Sequence, residues 1–251
     1  MKNSPKVPQR PRTPVRPGRR AALAAVPAVA VLALLGSRPG QASAASVATV
    51  KPSISAFDSV LIDVPAEVTI SIGKPAAIAI TAEQKVLDVI VAEVTDGQLS
   101  VRTNGSFQTD KPVTIAIDAP ELIALEALGS CQIEVAGPLT GELNLIAHDA
   151  TTVTLNAMNL SALIADLQGS SEVQADGSAA NLELTVAGAS TFSAPELAVS
   201  TASLEVSGSS EANVDVAKNL DVTITDAGSV FYTGSPSIKK SVSFAGTFES
   251  Q

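Results

Sequence analysis

A small turn recurs along the second half of this chain with a spacing near 20 residues. Gly129-Ser130-Cys131 is followed by Asp149-Ala150-Thr151, Gly169-Ser170-Ser171, Gly188-Ala189-Ser190, Gly208-Ser209-Ser210, Gly228-Ser229-Val230 and Gly246-Thr247-Phe248. The intervals are 20, 20, 19, 20, 20 and 18 residues. The flanks repeat as well. Four residues before the anchors stand Leu125, Leu145, Ala165, Leu184, Leu204, Ile224 and Val242. Two before them stand Ala127, Ala147, Leu167, Val186, Val206, Asp226 and Phe244. Four after the first six stand Ile133, Val153, Val173, Phe192, Ala212 and Tyr232. Each unit therefore reads as strand, tight turn, strand, with apolar side chains at alternate positions.

One such unit cannot bury its apolar face alone. Stacked units can, each touching only its neighbours. The sequence thus predicts an all-β chain: a right-handed single-stranded parallel β-helix with about 20 residues per coil over 121–251. Matching side chains would form interior files about 4.8 Å apart. A leucine-rich repeat has a similar period, and Leu122-Leu125 and Leu160-Leu163 fit its spacing. The Asn ladder and the amphipathic helix of that fold are missing.

Residues 57–120 also read as strands. Val60–Val64, Val68–Ile72, Ala77–Thr81, Leu99–Arg102 and Val113–Ile117 are short, β-branched and bounded by turns. Glu83–Ile90 allows a helical turn. This N-terminal β section is expected to cap the open first coil, because a bare edge invites aggregation. Residues 45–56 read as a flexible leader.

Residues 1–44 read as an export signal. A basic, Pro-rich start ends in Gly18-Arg19-Arg20, an apolar run of 15 follows from Ala21 to Leu35, and Ala42-Ser43-Ala44 fits a small-x-small cleavage rule. Cleavage is expected after Ala44. A retained anchor is the rival, but the run is interrupted by Pro27 and falls short of the roughly 20 residues a span needs. Arg19-Arg20 ahead of Ala22-Leu23 loosely matches a twin-arginine signal, without its usual aromatic.

Charge excludes several partners. The first 44 residues hold eight of the 16 Lys and Arg and no acid, which leaves eight bases against 25 acids beyond them, a net of −17. Between Lys111 and Lys218 there is no Lys or Arg. Phosphate and anionic lipid both need cations, so neither nucleic acid nor a membrane surface is an expected partner.

The chemistry-bearing residues are sparse. Cys131 is the single cysteine, so no intramolecular disulfide forms, and a buried, inert thiol is expected. His148 is the single histidine. It precedes Asp149, but neighbours on a strand face opposite ways, and no G-x-S-x-G elbow occurs. One His and one Cys make a zinc site improbable. Glu172 and Glu211 are expected at equivalent coil positions, as are Asp176 and Asp215, two coils or about 9.6 Å apart. That separation suits an inverting glycosidase. Aromatics are only 3% of the chain, which leaves sugar rings almost no platform. The calcium nonapeptide G-G-x-G-x-D is absent. Pectate-lyase-like β-helices use Arg or Lys on acidic sugars, and residues 112–217 supply none.

The order of certain segments carries a resemblance. Phe57-Asp58-Ser59-Val60 comes first, then DGQLSV at Asp96–Val101, then IDAPELIALEALGS at Ile117–Ser130, and VFYTGSP at Val230–Pro236. Over about 57–248 the chain resembles the family known as putative auto-transporter adhesin "head GIN" domains, formerly a domain of unknown function. It departs where that family usually reads Gly-Ser-Gly, with GSC, HDAT, GSS and GAS. The resemblance implies an exported β-helical domain with no established catalytic residues.

The combined reading is a non-enzymatic exported β-solenoid, periplasmic, surface-bound or secreted, acting as an adhesin-like interaction module. No catalytic, metal or cofactor residue is assigned, and no individual binding residue is named. Its partner is an extracytoplasmic protein or glycan. A polysaccharide-binding or polysaccharide-cleaving β-helix and a passive envelope scaffold are the alternatives. Ligand and oligomeric state are open.

Overall fold

The computed structural model describes residues 46–243 and 245–251. The expected signal peptide, its cleavage after Ala44 and the Phe244 position lie outside them. Strands make up 66% of the described residues and helix 2%, with about six turns of parallel β-solenoid about 20 residues apart.

Strands β8 (Ala124–Leu128) and β9 (Gln132–Ala136) flank the first small turn. Strand β10 (Leu139–Ala147) follows, and then four long strands each run almost a whole coil: β11 (Thr152–Leu167), β12 (Glu172–Val186), β13 (Thr191–Val206) and β14 (Glu211–Ile224). Within β11 the buried positions are 153 and 155, then 158 and 160, then 163, 165 and 167. The alternation slips by one residue at two places. Each slip turns the chain, so a coil has three runs: one before the small turn (run A), one after it (run B), and a third (run C) that leads into the next run A.

The files predicted from the repeat are present. In run B, Ile133, Val153, Val173, Phe192 and Ala212 are consecutive parallel partners. All five are buried, Phe192 completely. In run A, Leu125, Leu145, Ala165, Leu184 and Leu204 pair in the same way. At about 25 cal/mol per Å² of apolar surface removed from water, these files supply the main favourable term for the fold.

The corner between runs A and B is fixed by backbone bonds from coil to coil. The N–H groups of Ala150, Ser170, Ala189, Ser209 and Ala227 donate to the carbonyls of Gly129, Asp149, Gly169, Gly188 and Gly208, at 2.6 to 3.0 Å. At Gly188, φ is +82°, and a Cβ would stand 2.6 Å from the Gly169 carbonyl oxygen. Glycine is thus required there both by its torsion and by the closeness of the stacked coil. Two residues further along each corner lies a buried file of Cys131, Thr151, Ser171, Ser190 and Ser210.

The sixth corner corrects the sequence register. Ala227 stacks on the corner of Gly208, and Asp226 takes the left-handed torsion at φ 56°. Glu211 pairs with Ser229, an 18-residue step. The anchor equivalent to Gly208 is therefore Asp226, two residues before Gly228. Accordingly Val222, Ile224 and Val230 occupy the interior files, in place of Ile224, Asp226 and Tyr232. The coil shortens because Pro195–Leu197 has no counterpart in the next coil, where Ala194 pairs with Val214 and Ala198 with Asp215.

The N-terminal section does more than cap. Strands β2 (Ser59–Asp63) and β3 (Glu67–Ile72) form a coil. On one side it pairs in parallel with β8 and β9. On its other side it pairs in parallel with β6 (Gln98–Thr103) and β7 (Thr114–Ala119). The later coil in sequence is thus the outer one in space. Two antiparallel additions finish this end: β4 (Ala77–Glu83) on β7, and β5 (Ile90–Thr95) on β6. The helical turn is α1 (Gln84–Leu87). The expected flexible leader is partly ordered as β1 (Val47–Val50), which lies antiparallel on β4. Its Val-Ala-Thr-Val composition favours a strand, and β4 offers it an open edge.

At the other end, β15 (Ser229–Thr233) and β16 (Ser237–Val242) stack on β14, and β17 (Thr247–Ser250) stacks on β15. Phe248 follows Val230 in the run B file and stacks on Tyr232 at 4.9 Å between ring centroids. The Lys240 ammonium lies 4.5 Å from the Phe248 ring centroid, a cation–π contact over the last layer of the core.

Candidate functional site

Run B alternates strictly, so every second side chain points outward and the parallel register lines these up in columns. One column is Gln132, Thr152, Glu172, Thr191 and Glu211. Its neighbour is Glu134, Thr154, Gln174, Ser193 and Asn213. All ten side chains are hydroxyls, amides or carboxylates. None carries a positive charge, as the interval from 112 to 217 dictates.

Two shallow depressions run along this face and share Thr154. The first, about 370 Å³, lies among Glu67, Thr69, Gln132, Glu134 and Thr152. The second, about 280 Å³, lies among Asn156, Gln174, Asp176, Ser193 and Glu196. Their walls are partly fixed. The Asn156 amide donates to Glu134 Oε1 at 3.5 Å, and Gln174 Nε2 donates to Glu172 Oε1 at 2.9 Å. Asp176 Oδ1 accepts the backbone N–H of Ala157 at 2.7 Å. Ala157 holds φ at 58°, an unusual torsion for a residue with a Cβ. The face is rich in acceptors, and it can receive hydrogen bonds from hydroxyl, amine or amide groups along an extended ligand.

The residues weighed from sequence are placed as follows. Glu172 and Glu211 are equivalent, with Thr191 between them. Asp176 and Asp215 are not: Asp176 pairs with Glu196 and Asp215 with Ala198, because the Pro195–Leu197 bulge breaks the register. Asp215 instead accepts the Thr233 hydroxyl at 3.1 Å. His148 and Asp149 do not meet as a dyad. His148 Nε2 lies 3.9 Å from Asp166 Oδ1 on the next coil, while Asp149 Oδ2 accepts the Gly129 N–H at 3.2 Å. The second corner, which lacks Gly, keeps its shape because Asp149 adopts φ 68°.

Cys131 is buried, and its thiol donates to the Leu128 carbonyl at 3.7 Å. Burial, with a smaller contribution from the Asp63 charge, pushes the thiol up from 9.0 to about 11. Among the described residues no group of three or more His, Cys, Asp or Glu is arranged to hold a metal ion. No helix among them is long and apolar enough to cross a membrane. The Tyr232–Phe248 stack continues the interior files of run B at the C-terminal end, where both rings are half-buried. The run B face escaped sequence reasoning because its signal, polar residues at alternate positions, is also what any solvated strand shows.

A family model described as "Putative auto-transporter adhesin, head GIN domain" matches residues 56–236. No curated protein matches the chain. A crystal structure of a "putative adhesin" from Bacteroides fragilis is 19% identical, with a TM-score of 0.77 over 82% of this chain and 97% of that one. A "putative adhesin" from Parabacteroides distasonis is 20% identical, with a TM-score of 0.71 over 83% and 98%. A "putative lipid binding protein" from the same species is 21% identical, with a TM-score of 0.66 over 82% and 96%.

Proposed function

The chain belongs to the head GIN domain family of "putative auto-transporter adhesins", and from that premise we propose that it is an exported, non-enzymatic adhesion module whose ligand lies along the outward face of run B. The observation that carries this reading is the cation-free array of hydroxyls, amides and carboxylates, held in register over five coils. Such a surface suits an extended protein or glycan rich in hydrogen-bond donors. It repels anionic partners, nucleic acid and acidic lipid among them. The names of two of the three structural neighbours agree with an adhesive role, the third being named for lipid binding, and an adhesin family agrees with an extracytoplasmic location for a chain whose residues 1–44 read as a signal.

The test is a glycan array and a pull-down from envelope material, using the purified chain beside variants. Thr154→Lys and Ser193→Lys place bulk and charge in the second depression; Glu205→Lys, on the outward side of run A, is the control. A ligand captured by the chain and by Glu205→Lys, with affinity lost at least tenfold in the two run B variants, supports the reading. Equal capture by all variants refutes the run B site, and no specific capture favours the passive scaffold.

A further inference from the structure

Arg102 is the one arginine beyond residue 44. It stands on β6 and pairs across the ladder with Val91 of β5, while Ser100 pairs with Glu93. These four side chains point outward from run A, since the alternate residues Leu99 and Val101 are buried in the core. Together with Thr103 and Asn104 they line a depression of about 330 Å³.

Ser100 is only 9% exposed, one of six buried polar or charged residues among those described. Four of the others form the interior corner file, and Glu83 meets the Lys85 ammonium at 2.9 Å. Ser100 is instead a buried hydroxyl that an outside molecule can reach, because the depression runs over it.

Glu93 and Arg102 occupy diagonal corners of this square. Diagonal positions of a ladder stand about 7–8 Å apart. Among the described residues neither side chain takes part in an ion pair. Asp63 of β2 lies beside Arg102 in the parallel register. The site therefore sets one cation against two carboxylates.

That balance selects the ligand. A simple anion that reaches the guanidinium also meets both carboxylates, and a simple cation meets the guanidinium. A molecule with both charges avoids either conflict. Its carboxylate accepts the guanidinium fork, a charge-assisted and directional contact, and its ammonium donates to Glu93. The adjacent charged groups of an amino acid can bridge the diagonal. The Ser100 hydroxyl supplies a hydrogen bond from below, and Val91, 40% exposed, supplies aliphatic surface at the side. The run B face has no cation and cannot receive a carboxylate in this way.

We propose that the depression between Arg102 and Glu93 is a second binding site, and that it takes an amino acid group with its ammonium and carboxylate together.

Titration of the isotope-labelled chain with alanine, followed by amide chemical shifts, tests this. The expected result is saturable shifts in the millimolar range, confined to Val91–Val94 and Ser100–Asn104. Acetate and ethylamine, each with one of the two charges, should bind at least tenfold more weakly. Arg102→Gln and Glu93→Gln should each weaken alanine binding at least tenfold. Both residues are exposed, so the variants should keep the parental fold. Asp63→Asn should strengthen acetate more than alanine. Thr154→Lys, which acts on run B, should leave alanine binding unchanged, so this site and the run B site succeed or fail separately. Shifts that spread without saturating, equal binding of alanine and acetate, or undiminished affinity in Arg102→Gln overturns the proposal.

Discussion

Thr151 and Ser171 hold their hydroxyls 3.3 Å apart inside the corner between runs A and B. Ser171 Oγ also lies 2.8 Å from the carbonyls of Ala147 and Gln168, and the Ser171 N–H donates to Ser190 Oγ at 3.2 Å. The corner is thus a dry polar file beside a dry apolar one. Two coils beyond Ser171, the equally buried Ser210 hydroxyl has no hydrogen-bond partner among the described residues.

That contrast separates two serines of equal burial. Ser171→Ala takes the hydroxyl from the Gln168 carbonyl and from Thr151, while the Ala147 carbonyl keeps the Gln168 N–H, and is expected to lower stability by about 1–3 kcal/mol. Ser210→Ala removes an unpaired polar atom and is expected to be neutral or stabilising. Denaturant midpoints of the two variants, read against the parent, decide this. A larger loss at Ser210 than at Ser171 contradicts the account.

Phe192 is the largest of the fully buried side chains and stands between Val173 and Ala212. Small neighbours give the structure little with which to fill the space it leaves. Phe192→Ala is expected to cost about 3–5 kcal/mol, while Phe192→Leu should cost less. Thermal unfolding of both variants provides the measurement.

Two corner glycines share a torsion and differ in surroundings. Gly129 and Gly188 both have φ +82°, but a Cβ at Gly129 meets nothing within 4 Å. Gly129→Ala is expected to cost about 1–2 kcal/mol from the left-handed torsion alone. Gly188→Ala adds a 2.6 Å clash with the Gly169 carbonyl and should cost clearly more. Equal midpoints for the two variants would show that neighbouring coils part freely.

The Cys131 thiol gives a pH dependence. Its folded value is raised to about 11 from 9.0, so ionisation favours the unfolded chain. The stability it contributes is full below pH 9 and is lost as pH rises toward 11. Urea midpoints should fall less over that interval for Cys131→Ala than for the parent. A thiol reagent at pH 8 should react only once denaturant opens the coil.

Much of this was legible from residues alone, because stacking repeats a pattern that a sequence can show. The Val173–Phe192–Ala212 file was readable as three like positions one period apart. The sixth corner was not, because Asp226 can adopt the left-handed torsion that Gly228 advertises. The loss of register at Pro195–Leu197 hid behind the near identity of the segments at Gly169 and Gly208. The placement of Gln98–Ala119 outside Ser59–Ile72 was invisible for a different reason. Alternation states which side of a strand is buried, not which strand lies beside it. The outward run B columns had the same handicap: the sequence marks them as polar, and only the register turns them into a surface.

The interleaving of the first three coils sets an order of assembly during synthesis. Ser59–Ile72 emerges first, yet its two flanking layers are Gln98–Ala119 and Ala124–Ala136. No nascent chain shorter than about residue 136 can sandwich it. From that length on, each new lap finds a finished template already waiting, and growth proceeds in the order of translation.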